Sequence, residues 1–584
     1  MSAAPVIYAA DGNPVPEKLR VAARARLMAS AYQAERSDHP SLANWRPGTY
    51  SGQSALAYGR ENVAARIHDL ARNDGWASAA VSRVVDETIG SGWTLNAQVN
   101  ARTLGITQDE ADEINDQIEA LHEDYATNDP GFWCDAERQT NQAGLLGLGM
   151  RHDFLDGEAF AHIVWRGEEG SGMPLAPTGY GTCLQVIDPA RISNPNGRMD
   201  TETLQQGVEL DKWGAAIGYH VRRAHPGDRM MQAANAWTWD YVPRDIDGRP
   251  NFVHAFSKTR AGERRGIPKL ISVVRKHKQV SDIDDIEMQA IAVNSALAAF
   301  VTSPMDLEEL AESMGAGTVT DAMRQMSEGQ EAYYKALPLS IRNAQVNFLH
   351  PGEAITLSKP EHPNANFEPF FRQSLRNIAS AAGLTYEMLT MDWSNVNYSS
   401  ARAALLVIYK SLNAVRDRFA AQFMAPWYGA WLEEVFDRRL IRLPARAVSF
   451  EANRAGWCAA EWIGTGRGWI DPLREAQASG LRLSTGQSSR KDEAAEQGRD
   501  WKKTALQTAR EKKFYTSLGL DPNPSNLETR TQSIATTRDE GSPDQEIEAD
   551  VNGDTDEETG GPAQGGNQTG GLRSSHVPRI RRRA

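Results

Sequence analysis

A His/carboxylate cluster near residue 155 is the first candidate for chemistry in this sequence. His152, Asp153, Asp156 and Glu158 lie close together in the chain, and such a set could bind a metal or transfer protons. The alternative is the C-terminal end of a helix, turned at Gly157, with solvated charges. Because no second cluster with ligand spacing accompanies the first, we favour this structural interpretation.

Known enzyme signatures are missing from the sequence. It contains no G-x-x-x-x-G-K-[ST] phosphate loop, no H-E-x-x-H and no G-x-S-x-G. The glycine string 464–468 lacks the third glycine of a dinucleotide site and follows no predicted strand. We therefore expect no cofactor and no enzymatic activity. The alternative is a nucleic-acid-processing enzyme with an unrecognised active site.

Charge and cysteine content narrow the class of protein. The formal net charge is -13, which does not favour binding nucleic acid through a basic field. The basic C-terminal run RIRRR could bind nucleic acid or a partner, or it could simply balance the acidic run before it. The three cysteines lie far apart and offer neither a disulfide framework nor zinc-ligand spacing, which suits a reducing compartment. These cysteines are Cys134, Cys183 and Cys458.

The ends of the chain differ in composition from its middle. Residues 1–50 are rich in Ala, Pro and polar residues, and we expect a mobile arm. Residues 521–584 are acidic and Gly-rich with few large apolar residues, so we expect a disordered tail with a basic end. No segment approaches the roughly 20 apolar residues of a membrane span, and the first residues do not form a signal peptide.

Helical and strand-like patterns alternate in the first half. From Arg60, apolar residues recur at helical spacing, break at Asn73-Asp74-Gly75, resume, and end at Gly90-Ser91-Gly92. This pattern predicts two helices joined by a tight turn, and a third helix is predicted over Thr107–Tyr125. Residues 158–256 carry β-branched runs between Gly, Pro and Asp, which predicts strands and turns. Asp211–Ala215 is the predicted loop of a hairpin.

Longer helices are predicted in the second half. Gly266-Ile267-Pro268 precedes a predicted helix over Lys269–Phe300, which would form a rod of about 50 Å. Further helices are predicted over Phe367–Leu389 and over Ala401–Phe436, the latter kinked at Pro426. Residues 470–514 form a small helical unit. The whole pattern indicates an α+β protein.

Two polar segments of this half are candidate functional sites. Asp282, Asp284, Asp285 and Glu287 fall within two turns of the first long helix and could repel DNA, bind a metal or form a solvated face. The segment 391–400 separates two helices and is rich in turn-forming residues, so the residues alone favour a connecting turn with Trp393 packed beneath it.

The chain resembles the lambda-type phage portal proteins. The run RENVAARIHDLARNDGWASAAVSRVVDETIGSGW resembles the opening helices of that family, and GVELDKWGAAIGYHVRRAHPG is similar to its β-hairpin. VHAFSKTRAGERRGIPKLISVV resembles the family's Arg-Gly-Ile-Pro start of a long helix, and WIDPLREAQASGLRLSTGQ its C-terminal helical segment. These matches run in order from about residue 50 to residue 515.

The resemblance implies a ring of twelve subunits at one capsid vertex, with an α+β portal fold. It implies a β-containing wing, two long antiparallel stem helices, a clip excursion and a helical crown. Carried onto this chain, it gives a wing at 51–265, a first stem helix at 266–300, a clip at 301–366, a second stem helix at 367–391, a channel loop at 392–400, a tunnel helix returning to the wing at 401–469 and a crown at 470–520.

The resemblance also implies what the protein contacts. The ring would pass double-stranded DNA during packaging and ejection, and would contact the terminase large subunit, the major capsid protein and a head-tail connector or adaptor. It would lie in the virion after assembly in the host cytoplasm, with no membrane contact. The implied DNA-facing residues are Trp393, Ser394, Asn395, Val396, Asn397 and Tyr398. A tail connector is a further alternative, but such proteins are usually much shorter.

Overall fold

The computed structural model describes residues 44–167, 174–177, 179–228, 233–296, 319–336, 367–394, 396–466 and 472–520, together with a few shorter pieces. The helices described are α1 Arg60–Asn73, α2 Gly75–Thr88, α3 Ala101–Leu104, α4 Gln108–Glu123, α5 Gln142–Leu155, α6 Ala233–Ala236, α7 Val274–Ala296, α8 Val319–Ala336, α9 Phe367–Ala382, α10 Tyr386–Thr390, α11 Tyr398–Phe419, α12 Ala425–Asp437, α13 Arg454–Trp457, α14 Pro472–Ser484, α15 Arg490–Glu496 and α16 Trp501–Ser517.

The strands pair antiparallel in small sheets. The three-stranded sheet has the order β10-β2-β3, the four-stranded sheet has the order β4-β5-β6-β7, and the remaining strands pair as β1-β13, β8-β9 and β11-β12. The strands are β1 Thr94–Ala97, β2 Glu158–Trp165, β3 Thr182–Ile187, β4 Leu204–Gln205, β5 Val208–Leu210, β6 Ala216–Arg222, β7 Trp239–Pro243, β8 Asp245–Ile246, β9 Arg249–Pro250, β10 Phe252–Phe256, β11 Phe300–Thr302, β12 Ala354–Thr356 and β13 Ala460–Ile463.

The turn between α1 and α2 forms where the sequence predicts it. The Asp74 carboxylate caps α2 by accepting hydrogen bonds from the backbone N–H groups of Trp76 and Ala77, both at 2.9 Å. The predicted third helix is also present as α4, which begins with a capping box between Thr107 and Glu110. Local side-chain chemistry is sufficient to position these helix starts.

The predicted hairpin is present in the four-stranded sheet. Strand β5 pairs with β6, and the Asp211 carboxylate accepts hydrogen bonds from the N–H groups of Trp213 and Ala215 to hold the loop. Phe160 and Tyr219 pack together in a small core between the three- and four-stranded sheets. Helices and antiparallel sheets together confirm the α+β class.

The main core lies where α2, α4 and α5 meet the C-terminal half of the chain. Trp427, Trp431 and Trp457 are almost fully buried there. Phe419 and Phe423 stack at 4.7 Å and lie against Gly149 of α5, where a Cβ would meet both rings at 3.0 Å. Helix α5 therefore packs closely because position 149 carries no side chain.

The predicted long helices are more interrupted than expected. The first begins as a 3-10 turn at Lys269–Ser272 before α7, and residues 300–302 form strand β11, not the end of a helix. Gly383, with φ of 78°, separates α9 from α10. The third predicted long helix begins earlier than expected, at Tyr398. Its irregularity is a π-helix at Ala420–Met424, shortly before Pro426.

The last described helix, α16, spans the boundary between two compact units of the chain. Residues 1–505 form one compact unit and residues 506–584 a second, of which the structure describes the end of α16. The expected disordered tail at 521–584 lies outside the described residues, as does nearly all of the N-terminal arm. Among the helices that the structure describes, none is both long and apolar enough to span a membrane.

Candidate functional site: the start of helix α7 and the loop before α11

Glu158 is the buried charge that holds the segment leading into helix α7. Its side chain is fully buried, and one carboxylate oxygen accepts hydrogen bonds from Arg265 at 2.8 Å and Arg60 at 3.2 Å. The other oxygen accepts from the Gly266 N–H at 2.9 Å and contacts His254 Nε2 at 3.1 Å. Burial alone would raise the pKa of Glu158, but the Arg265 and Arg60 charges outweigh it and lower that pKa far below its usual range.

The Arg-Gly-Ile-Pro segment is explained by this contact. Arg265 also donates to backbone carbonyl oxygens of Pro189, Ile192 and Gln206, so its guanidinium is satisfied on several sides. A Cβ on Gly266 would lie 1.9 Å from the Gly157 carbonyl oxygen, which leaves room for no side chain at this position. The segment therefore fixes the direction in which the chain leaves the sheet for α7.

A second contact anchors α7 to the α1–α2 turn. His277 is fully buried, and its Nε2 lies 2.8 Å from the Asp74 carboxylate that also caps α2. Burial raises the pKa of Asp74, but the hydrogen bonds from His277 and from the backbone together lower it by more. The net shift of its pKa is therefore downward. One carboxylate thus links the start of α2 to the first turn of α7.

The His/carboxylate cluster is structural, but its charges are not solvated as expected. Asp156 is buried and its two oxygens contact His68 Nε2 and His152 Nδ1, each at 2.8 Å. Asp153, also buried, pairs with Arg418 at 2.6 Å. Among the described residues, no group of three His, Cys, Asp or Glu side chains could hold a metal ion. The expectation of a helix end turned at Gly157 is confirmed, since φ there is 82°.

The four acidic residues of α7 lie beyond these anchors. Asp282, Asp284 and Asp285 are exposed and Glu287 is half-buried. Asp282 pairs with Lys278 one turn earlier at 2.7 Å. The four carboxylates do not share one face, because 3.6 residues per turn separates Asp284 from Asp285 by about 100°.

The loop before α11 is short and held by its own side chains. The Asp392 carboxylate accepts hydrogen bonds from the N–H and hydroxyl of Ser394, at 3.1 and 2.5 Å. Asn397 caps α11 by accepting from the Ser400 N–H at 2.8 Å, so the helix begins inside the predicted 392–400 loop. Asn395 lies outside the described residues. Trp393 is 36% exposed, so the predicted packing of its indole beneath the turn is only partial.

Sequence reasoning found Glu158 but missed the residues that define its role. Its partners Arg60, His254 and Arg265 are about 100 residues away along the chain, on α1, on β10 and just before α7. No local spacing connects them. A signal was available in the apolar residues that directly follow Glu158 in β2, because a carboxylate at the start of a buried strand is expected to be paired.

Comparison with known proteins decides the family. A sequence model described as "Phage portal protein, lambda family" matches residues 38–416. The chain belongs to the lambda family of phage portal proteins. The portal protein of Escherichia phage N15 is 31% identical over 492 residues, covering 82% of this chain and 89% of that protein. Portal protein B of Escherichia phage lambda is 30% identical over 489 residues, covering 82% and 89% respectively.

Further similar proteins are more distant in sequence. A probable portal protein of Halomonas phage phiHAP-1 is 23% identical over 402 residues, 67% of this chain and 69% of that protein. Similar solved chains come from the virion and neck of a native gene transfer agent particle, each with a TM-score of 0.40, 13% identity and coverage of 76% of this chain and 99% of theirs. The portal function expected from the sequence is confirmed at the level of the family.

Proposed function

We propose that this portal protein closes into a ring of about twelve copies at one capsid vertex, with α7 and α9 as its stem. The observation that supports this assignment is the doubly anchored base of α7. Glu158 holds the segment that leads into α7 and Asp74 holds its first turn, while its later turns expose Asp282, Asp284 and Asp285. A stem helix needs this combination of a fixed base and an outer part free for contacts in the ring.

The remaining regions follow from the family resemblance. We assign the residues before the Arg-Gly-Ile-Pro segment, 51–265, to the wing, 301–366 to the clip, 401–469 to the tunnel helix and its return, and 470–520 to the crown. The described parts support this order: the sheets all precede α7 except for the short pairs that involve β11, β12 and β13, and helices α14 to α16 come last.

The role in DNA passage is mechanical in this proposal. A separate terminase motor would hydrolyse ATP, while the ring guides DNA during packaging and ejection and contacts the capsid protein and a connector. The one sequence candidate for acid–base chemistry supports this view, because Asp153, Asp156 and Glu158 are committed to buried ion pairs. A channel wall that held DNA tightly would have to release it at every step, and an acidic chain avoids such a grip.

The loop before α11 is our candidate for the DNA-facing segment. The run 391–400 has no basic residue, and serine and asparagine offer neutral hydrogen bonds to phosphate oxygens. In the free chain, Asp392 binds Ser394 and Asn397 caps α11, so these side chains also stabilise the turn. A loop with this double role should be tested by a change that spares the cap.

Electron microscopy of the purified full-length chain tests the ring directly. We expect negative-stain images of rings with a central hole, and no ATPase or nuclease activity in the same preparation. Monomers alone across a range of protein and salt concentrations would contradict the assignment. DNA cleavage that purifies with the protein would favour the alternative of a phage enzyme.

Particle assembly tests the loop. Deleting Ser394 and Val396 while keeping Asn397 should leave rings intact and lower genome packaging or retention, measured as DNA content per particle. The matched control is Asn397→Ser, which keeps the length of the loop, a side chain able to cap α11 and a neutral hydrogen-bonding group. Normal DNA content in the shortened variant would show that the segment is only a connecting turn.

A further inference from the structure

An unfilled groove runs between α7 and α9. It has a volume of about 700 Å³. Val280 and Ile283 of α7 and Phe370 of α9 form its apolar part, and Phe370 remains 51% exposed. Lys276 and Asp282 also line it and are exposed to solvent, and the Asp282 carboxylate pairs with Lys278 of its own helix at 2.7 Å. An open apolar groove of this size beside a cation fits an apolar side chain that is accompanied by an acid.

The opposite side of the same helix presents such a pair. Met288 is 66% exposed and lies five residues after Ile283, which places it about 140° round the helix from the groove. Asp285 is exposed and lies about 160° round from Ile283 by the same geometry. Being three residues apart, Asp285 and Met288 lie side by side on that face. The subunit therefore has an apolar groove with a cation on one side and a thioether with a carboxylate on the other.

This arrangement matches what a closed ring requires. In a ring of identical copies, each interface joins two different surfaces from opposite sides of the subunit, and those surfaces must complement each other. Methionine is flexible and fills irregular apolar spaces, and opposite charges across an interface fix its register. We propose that the groove receives Met288 of the neighbouring copy, with Asp285 of that copy beside Lys276. The inference rests on the proposed ring and names the contact that sets its register.

The acidic turn of α7 then acquires a specific role. Asp285 is a contact to the next subunit, whereas Asp282 lines the groove and is paired with Lys278 within its own chain. Asp284 lies on the other side of Met288 from Asp285. Of the two carboxylates that flank Met288, Asp285 is the one that this contact places beside Lys276.

Disulfide cross-linking of the full-length chain tests the contact. Met288→Cys combined with Gln373→Cys, a groove residue on α9, should give a ladder of covalent multimers on oxidation of assembled rings. All variants carry Cys458→Ser, because Cys458 is only half-buried. Each single variant should then give no ladder, since Cys134 and Cys183 are buried. The matched control pairs Gln373→Cys with Met199→Cys, an 80% exposed position outside the groove. Rings that form normally but cross-link no better than this control overturn the inference while leaving the ring itself in place.

A charge swap gives an independent measurement. Asp285→Lys and Lys276→Glu should each raise the protein concentration needed for half-assembly on the order of tenfold, and the double variant should restore it. Asp284→Lys, on the other side of Met288, serves as the comparison and should raise it less than Asp285→Lys does. Light scattering at low and high salt follows assembly, and the loss should shrink with salt. Failure of the double variant to recover, with Asp284→Lys equally harmful, would contradict the pairing. Absence of rings in the unchanged protein would contradict both the inference and the proposed function.

Discussion

Glu158→Gln is the substitution that tests the anchoring of α7 most directly. The change keeps the size of the side chain but removes its charge, leaving the guanidinium groups of Arg265 and Arg60 buried without a counter-ion. Arg265 is 3% exposed, and burial lowers the pKa of Arg60 to about 10. Removing one partner of a buried ion pair costs about 3–5 kcal/mol, since the remaining charge stays desolvated. We expect a loss of that size in the free energy of unfolding.

The pH dependence of the free energy of unfolding tests the same prediction in a second way. The pKa of Glu158 is far below that of a carboxyl in the unfolded chain, so its contribution to stability is fully present above about pH 4.3 and is lost as the pH falls toward the folded pKa. Glu158→Gln should therefore flatten the acid side of the stability profile. The wild-type chain should still keep part of this contribution near pH 3.

Urea unfolding measures the loss of stability, and hydrogen exchange shows where in the chain that loss occurs. Exchange should speed up most at residues 265–277, which lead into α7, and at the adjacent strand β10. Asp240→Asn provides the control, because it removes an exposed ion pair with Arg223 and should leave the urea midpoint unchanged. An unfolding free energy for Glu158→Gln within about 0.5 kcal/mol of wild type would refute the reasoning, because that is the range of ordinary surface substitutions.

Three further predictions concern neighbouring features. The hydrogen bond with Asp156 raises the pKa of His68. The stability that this pair contributes is therefore present below about pH 6.5 and is lost as the pH rises through the pKa of the folded state. When urea midpoints are measured against pH, His68→Gln should remove this loss. Gly266→Ala should prevent soluble folding or lower the melting temperature sharply, while Gly59→Ala, where the added Cβ meets nothing within 4 Å, should be tolerated. Asn397→Ala should cost about 1 kcal/mol through loss of the α11 cap, seen as faster exchange at residues 398–401 with rings intact.

The features predicted well from sequence are those controlled by neighbouring residues. Asp74 both ends α1 and caps α2, and the Asp211 loop closes its hairpin with its own carboxylate, so short-range patterns were sufficient. The helix limits were less accurate because packing sets them: the π-helix before Pro426 places Phe419 and Phe423 against Gly149, a contact between residues far apart in the chain. For the same reason, the partners of Glu158 could not be predicted. The family resemblance supplied the function, which the residues alone did not.

Burial explains why the anchors and the outer face of α7 have different roles. At its base, the carboxylates of Glu158 and Asp74 have already lost their water, so their charge is balanced within the chain and resists change in any assembly state. Further along, Asp285 and Met288 are solvated in the single chain and lose water only when a second copy covers them. A contact of this kind contributes energy on association alone. The same helix can therefore hold a fixed direction in the monomer and still reserve its exposed side for the ring.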